Sequence, residues 1–92
     1  MLEHLDQERQ QIDAIDEQIV ALLEKRWDLI VQVANKKKSE NLPIFDADRE
    51  KLVLEKVGSF VKNEEYAPSI QKLYKEMFSL SRKYQVQKQS KE

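Results

Sequence analysis

The chain is poor in the residues that interrupt or cross-link a fold. It has no cysteine, which excludes a disulfide framework and thiolate chemistry. One glycine and two prolines in 92 residues leave little to break long helices, and suit a mostly helical protein. The single histidine, His4, offers no histidine cluster for metal or proton transfer and reads as a surface residue. No stretch approaches the roughly 18 apolar residues of a membrane span. "MLEHLDQERQ" lacks the basic segment and apolar run of a secretion signal, so a cytoplasmic location is expected. There is also no excess of positive charge: the net charge is -1. General nucleic-acid binding, which needs a basic surplus to neutralise phosphates, is not expected.

What remains is 40% hydrophobic and 36% charged, and the apolar residues recur with helical spacing. In the first segment, about residues 3–39, they include Leu5, Ile12, Ile15, Ile19, Leu22, Leu23, Ile30 and Val33, at steps of mostly three and four. A straight helix of that length spans roughly 54 Å at ~1.5 Å per residue. A compact domain of this size has a radius of gyration of only about 12 Å. A helix that outruns its own domain usually packs on a second chain, so an intertwined homodimer is expected.

Pro43 disfavours helix at Leu42, and Asp46 is placed to cap a second helix over about 46–62. Val53, Val57, Phe60 and Val61 should lie on its inner side. Pro68 suits the first turn of a third helix over about 67–88, which carries Ile70, Leu73, Tyr74, Met77 and Phe78. The expected fold is all-α, with three helices per chain in a single domain, 1–92.

Polar residues intrude on these apolar stripes. The seam of the first helix continues through Arg26 and Lys37, which lie within about 20° of one face, with Val33 between them. Arg9 borders the same face. Arg49 sits in the first turn of the second helix, where the helix dipole opposes a cation, with Glu50 beside it. The third stripe ends in Ser81 and Gln85. Buried cations need anionic partners. Internal salt bridges or solvent-exposed stripe ends would meet that need for any one of them. The set as a whole suits a small dianion: arginine binds carboxylates in bidentate fashion and lysine acts as a point charge. Arg9 and Arg26 are roughly 25 Å apart along one helix. Both can reach one small ligand only if one of them comes from a second chain. "DAD" at 46–48 resembles the start of a calcium loop, but the later glycine and glutamate are missing. Neither metal nor cofactor is expected.

These residues resemble the signature of the all-helical, AroQ class (type II) of chorismate mutases, and the resemblance runs from about Leu5 to Gln85. "RQQIDAIDEQIVALLEKR", from Arg9 to Arg26, is similar to that family's first-helix run. "VANKK" places Val33 and Lys37 at its active-site valine and lysine. "PIFDADRE" is similar to its loop-and-helix motif ending in Arg49 and Glu50, and "SRKYQ" matches its serine and Gln-or-Glu position at Ser81 and Gln85. Phe45 and the region of Leu80 depart from the pattern.

The resemblance implies an intertwined six-helix dimer with two composite sites, and the Claisen rearrangement of chorismate to prephenate on the route to phenylalanine and tyrosine. It also implies roles. Arg26, and Arg9 from the other chain, bind substrate carboxylates. Arg49 aids placement and site electrostatics. Lys37 and Gln85 donate hydrogen bonds to the ether oxygen. Glu50 accepts from the ring hydroxyl, Asp46 and Ser81 stand behind them, and Val33 lines the apolar wall. Isochorismate pyruvate lyase, of the same fold, and a non-catalytic helical dimerisation or regulatory module are the alternatives.

Overall fold

The computed structural model describes residues 3–90. After a 3-10 turn at Glu3–Leu5, helix α1 runs Asp6–Ser39, α2 runs Ala47–Phe60, and α3 runs Ala67–Ser90 behind a second 3-10 turn, Glu64–Tyr66. The described residues contain no strand.

Each break has a local cause. Helix α1 ends in a Schellman motif: Asn41 takes a left-handed φ of 57°, Asn41 N–H donates to Lys38 O at 3.2 Å, and Leu42 N–H donates to Lys37 O at 2.8 Å. Asparagine tolerates that conformation better than most residues with a Cβ. Asp46 caps α2, its Oδ1 accepting from Arg49 N–H at 3.0 Å. Asn63 caps the second 3-10 turn by accepting from Glu65 N–H at 3.1 Å. Gly58, the only glycine, lies where α2 meets α3. A Cβ there would collide with Gln71 Nε2, which donates to Leu54 O at 3.1 Å.

Helix α3 is the centre of the packing. It touches both α1 and α2, whose backbones do not approach one another. Its C-terminal end is tied to α1 by Gln89 Nε2 donating to Ala34 O at 3.1 Å. The core is small: among the described residues, Ala34, Val57 and Phe78 are the buried apolar ones, joined by the polar Ser81 and Gln85. Tyr74 meets Phe78 edge-on, with ring centroids 6.1 Å apart.

Much of the apolar seam stays uncovered in the single chain. Ile12, Ile15, Ile19 and Leu22 on α1 are all exposed. The molecule measures 56 × 28 × 16 Å, with a radius of gyration of 16.8 Å against the ~12 Å of a compact chain of this length. Phe60 differs from the sequence expectation. It shares the helical face of Val53, yet it is 74% exposed, whereas Val57 is buried. Phe60 is the last residue of α2, and the chain leaves extended at Val61.

Candidate active site

The three helices and the 40–46 loop surround one cavity of about 300 Å³, at the lower end of the range for small-molecule sites. Helix α1 contributes Arg26, Leu29, Ile30, Val33 and Lys37. These recur at three-to-four spacing, so one stripe of α1 forms a wall. The loop and α2 contribute Ile44, Asp46, Arg49, Glu50 and Val53, and α3 contributes Phe78, Ser81, Arg82 and Gln85. Eight of the nine residues singled out from the sequence therefore meet here: Arg26, Val33, Lys37, Asp46, Arg49, Glu50, Ser81 and Gln85. The ninth, Arg9, is exposed on α1 and lines no part of it. His4 is exposed in the N-terminal 3-10 turn.

The electrostatics favour an anion. Four cations, Arg26, Lys37, Arg49 and Arg82, line the cavity against two carboxylates, Asp46 and Glu50. That leaves an excess of two positive charges. Glu50 is held by Arg82 in an ion pair between α2 and α3. One oxygen of Asp46 is engaged by the helix terminus it caps. Arg26, Lys37 and Arg49 have no carboxylate partner among the described residues.

Among the described residues, three buried polar atoms have no protein partner: Arg26 Nη1, Ser81 Oγ and Gln85 Oε1. All three belong to residues of this cavity wall. An unsatisfied buried group costs about 1–3 kcal/mol, so three at one place leave this wall with unused hydrogen-bonding capacity. The Arg26 guanidinium lies 5.8 Å from the Tyr74 ring centroid, a cation–π contact that steadies it.

The donors are partly oriented already. Lys37 Nζ donates to Ile44 O at 2.8 Å, and an ammonium retains two further hydrogens. Gln85 Nε2 donates to Ser81 O at 3.3 Å, a long bond near the limit for N–H···O. Donation from this amide to a ligand uses its second hydrogen or exchanges that weak bond for a better one.

Arg82 was not among the residues singled out from the sequence. It follows Ser81 directly, and its guanidinium lies 4.9 Å from the Phe45 ring centroid. Its partner Glu50 is 32 residues away. The apolar walls Leu29, Ile30, Ile44, Val53 and Phe78 were also not assigned to the site. Ile30, Val53 and Phe78 fit the apolar stripes of their helices, and periodicity does not separate a core position from a cavity wall. Among the described residues, no group of three or more His, Cys, Asp or Glu is arranged to hold a metal ion, and no helix is long and apolar enough to cross a membrane.

Comparison with known proteins identifies the family. The chain is 44% identical over 54 residues to a bifunctional chorismate mutase/prephenate dehydratase of Buchnera aphidicola subsp. Schizaphis graminum. That match covers 59% of this chain and 14% of the relative. It is 39% identical over 56 residues to the bifunctional chorismate mutase/prephenate dehydratase of Aquifex aeolicus, covering 61% of this chain and 16% of the relative. The matches thus take in only about a seventh of each of these longer proteins. No solved structure matches the chain significantly. The family described as chorismate mutase type II matches residues 8–86, a span that contains Arg9 and every residue of the cavity, and the chain belongs to that family.

Proposed function

We propose that the chain is a chorismate mutase, which rearranges chorismate to prephenate by an intramolecular Claisen reaction. The observation that carries this reading is the meeting of Arg26, Lys37 and Arg49, without carboxylate partners, with the unpartnered polar atoms of Ser81 and Gln85 in one cavity. Chorismate is a dianion, which fits the excess of two positive charges. The reaction needs no covalent nucleophile.

The residues divide the work. Arg26 binds a substrate carboxylate in bidentate fashion, and Arg49 adds positive potential from the first turn of α2. Lys37 and Gln85 donate to the ether oxygen, which gains negative charge as its C–O bond breaks. Glu50 accepts from the ring hydroxyl. Asp46 and Ser81 support these groups, and Val33 with the other apolar walls excludes water. Holding the enolpyruvyl arm over the ring supplies proximity and orientation. Preorganised donors stabilise the developing charge.

The proposal includes a cytoplasmic homodimer with composite sites, each chain forming a single domain over residues 1–92. Arg9 lies on the part of α1 whose seam residues Ile12, Ile15 and Ile19 are exposed. A partner packed along that seam brings its own Arg9 to the cavity of the first chain.

The test is incubation of the purified chain with chorismate, following its depletion and the appearance of prephenate. A parallel incubation uses isochorismate. Release of pyruvate from isochorismate with no consumption of chorismate would replace this reading by the lyase. Turnover of neither substrate would leave a dimerisation module.

A further inference from the structure

Arg82 is the cavity cation with an acidic partner already in place. Its Nη1 donates to Glu50 Oε2, which joins the middle of α3 to the first turn of α2. Its guanidinium lies 4.9 Å from the Phe45 ring centroid, so an aromatic face limits its movement as the carboxylate sets its direction. Arg82 and Ile44 also line both the cavity and a second, outer groove formed with Phe45, Ser79, Lys83, Val86 and Gln87. Arg82 therefore forms part of the partition between the proposed substrate site and the outside.

We propose that Arg82 is a positioning residue that acts through Glu50. Paired with Oε2 and steadied by Phe45, it fixes the Glu50 carboxylate with Oε1 left to accept from the substrate hydroxyl, and keeps that carboxylate away from Arg26 and Arg49. The inference rests on the chorismate mutase reading. Its physical basis is competition. Glu50 has rotatable side-chain bonds and shares a cavity wall with three other cations. Without Arg82, a nearby guanidinium becomes its best partner, and a guanidinium bonded to Glu50 is less available to a substrate carboxylate. Loss of Arg82 should therefore weaken substrate binding more than it slows the chemical step. The loss should vanish when Glu50 can no longer compete.

The expected result is specific. In the whole 92-residue chain, Arg82→Leu raises KM for chorismate about tenfold and changes kcat less than threefold, with Arg82→Lys intermediate. In a Glu50→Gln background, adding Arg82→Leu changes kcat/KM by less than twofold, because the two residues act as one unit. Phe45→Leu removes the ring but leaves the ion pair, and raises KM about threefold. It carries the same test if Arg82→Leu does not fold, since its effect too should disappear in the Glu50→Gln background. Circular dichroism and Tm verify that each variant folds. The inference is overturned if Arg82→Leu, or Phe45→Leu in its place, leaves KM within twofold of the parent. It is also overturned if the loss is equally large with Glu50→Gln, which would mean a direct substrate contact or a purely structural role. A parent chain that folds but does not convert chorismate overturns the mutase reading, and this inference with it. An active parent with an unaffected variant overturns the inference alone.

Discussion

Lys37 Nζ donates to the carbonyl of Ile44 at 2.8 Å, so the loop after α1 turns back on the helix it leaves and holds the ammonium at the cavity wall. The Schellman motif around Asn41 makes that return possible. Leu42 N–H closes onto Lys37 O, which places the backbone of Lys37 at the end of the helix and its side chain under the loop. The two residues after Ile44 also hold groups of the cavity wall. Phe45 backs Arg82, and Asp46 caps α2 at Arg49.

Lys37→Ala should therefore reduce kcat by at least a hundredfold to a thousandfold. Removing one preorganised donor to a developing oxyanion costs about 3–4 kcal/mol of barrier, and Lys37 is charged. The Ile44 bond is lost as well, which costs about 0.5–1.5 kcal/mol of stability. Steady-state kinetics on chorismate check the first effect, and a urea titration checks the second. A Lys37→Ala enzyme within tenfold of the parent kcat would remove Lys37 from the chemical step.

Arg26→Met should separate function from stability. The substitution keeps an unbranched, partly buried side chain and removes Nη1, a buried atom without a partner. Relief of that group is worth about 1–3 kcal/mol. The lost contact with Tyr74 is worth about 0.5–1 kcal/mol at an exposed site and more when desolvated. Stability should be unchanged or higher, while kcat/KM falls at least a hundredfold as the bidentate carboxylate contact disappears. Thermal unfolding and kinetics on the same preparation measure both. A large fall in Tm would identify Arg26 as structural.

Most of the polar residues that line the cavity are legible in the sequence because they interrupt apolar stripes. Arg26, Lys37, Ser81 and Gln85 occupy positions that helical periodicity reserves for hydrophobic residues, and all four line the cavity. Arg82 is not legible in this way, because it lies beside the third stripe, not in it, where a cation reads as a solvated residue. Its pairing with Glu50 depends on how α3 crosses α2, which local spacing does not encode. The helix breaks were legible at Pro43 and Asp46, whereas the left-handed turn at Asn41 was hidden in the charged run "KKKSEN". Phe60 follows the apolar rule of its helix, but it is the last residue of α2 and stays exposed where Val57 on the same helix is buried.

Gln85→Glu should make activity depend on pH. Glutamine is neutral at all ordinary pH, so its donor is always present. A glutamate donates only when protonated, and an ordinary glutamic acid has a pKa of about 4.3. Position 85 is buried, and desolvation disfavours the charged form and raises that value. The neighbouring cations oppose the rise. The variant should lose activity as pH rises through the pKa of the new carboxyl and regain it below, while the parent keeps a flat kcat between pH 5 and 7.5. Parallel pH–rate profiles decide it. A steep fall of the parent's own profile across that range would count against Gln85 as the neutral donor.

Mixing inactive variants tests the composite site. Arg9 lies roughly 25 Å from Arg26 along α1 and does not line its own chain's cavity. If each cavity takes its Arg26 from one chain and its Arg9 from the other, Arg9→Ala and Arg26→Ala homodimers both carry two defective sites. A heterodimer of the two variants carries one site with both arginines intact and one with neither. Free reassortment of equal amounts makes half the dimers heterodimers, so activity should climb to about a quarter of the parent's. The chains must first exchange, by co-expression or by unfolding and refolding together. Sedimentation of the parent should give the mass of a dimer, because the exposed seam of Ile12, Ile15 and Ile19 needs a partner to remove it from water. A monomeric parent that turns over chorismate, or a refolded mixture that remains as inactive as its components, would overturn the shared site and leave Arg9 as an ordinary surface residue.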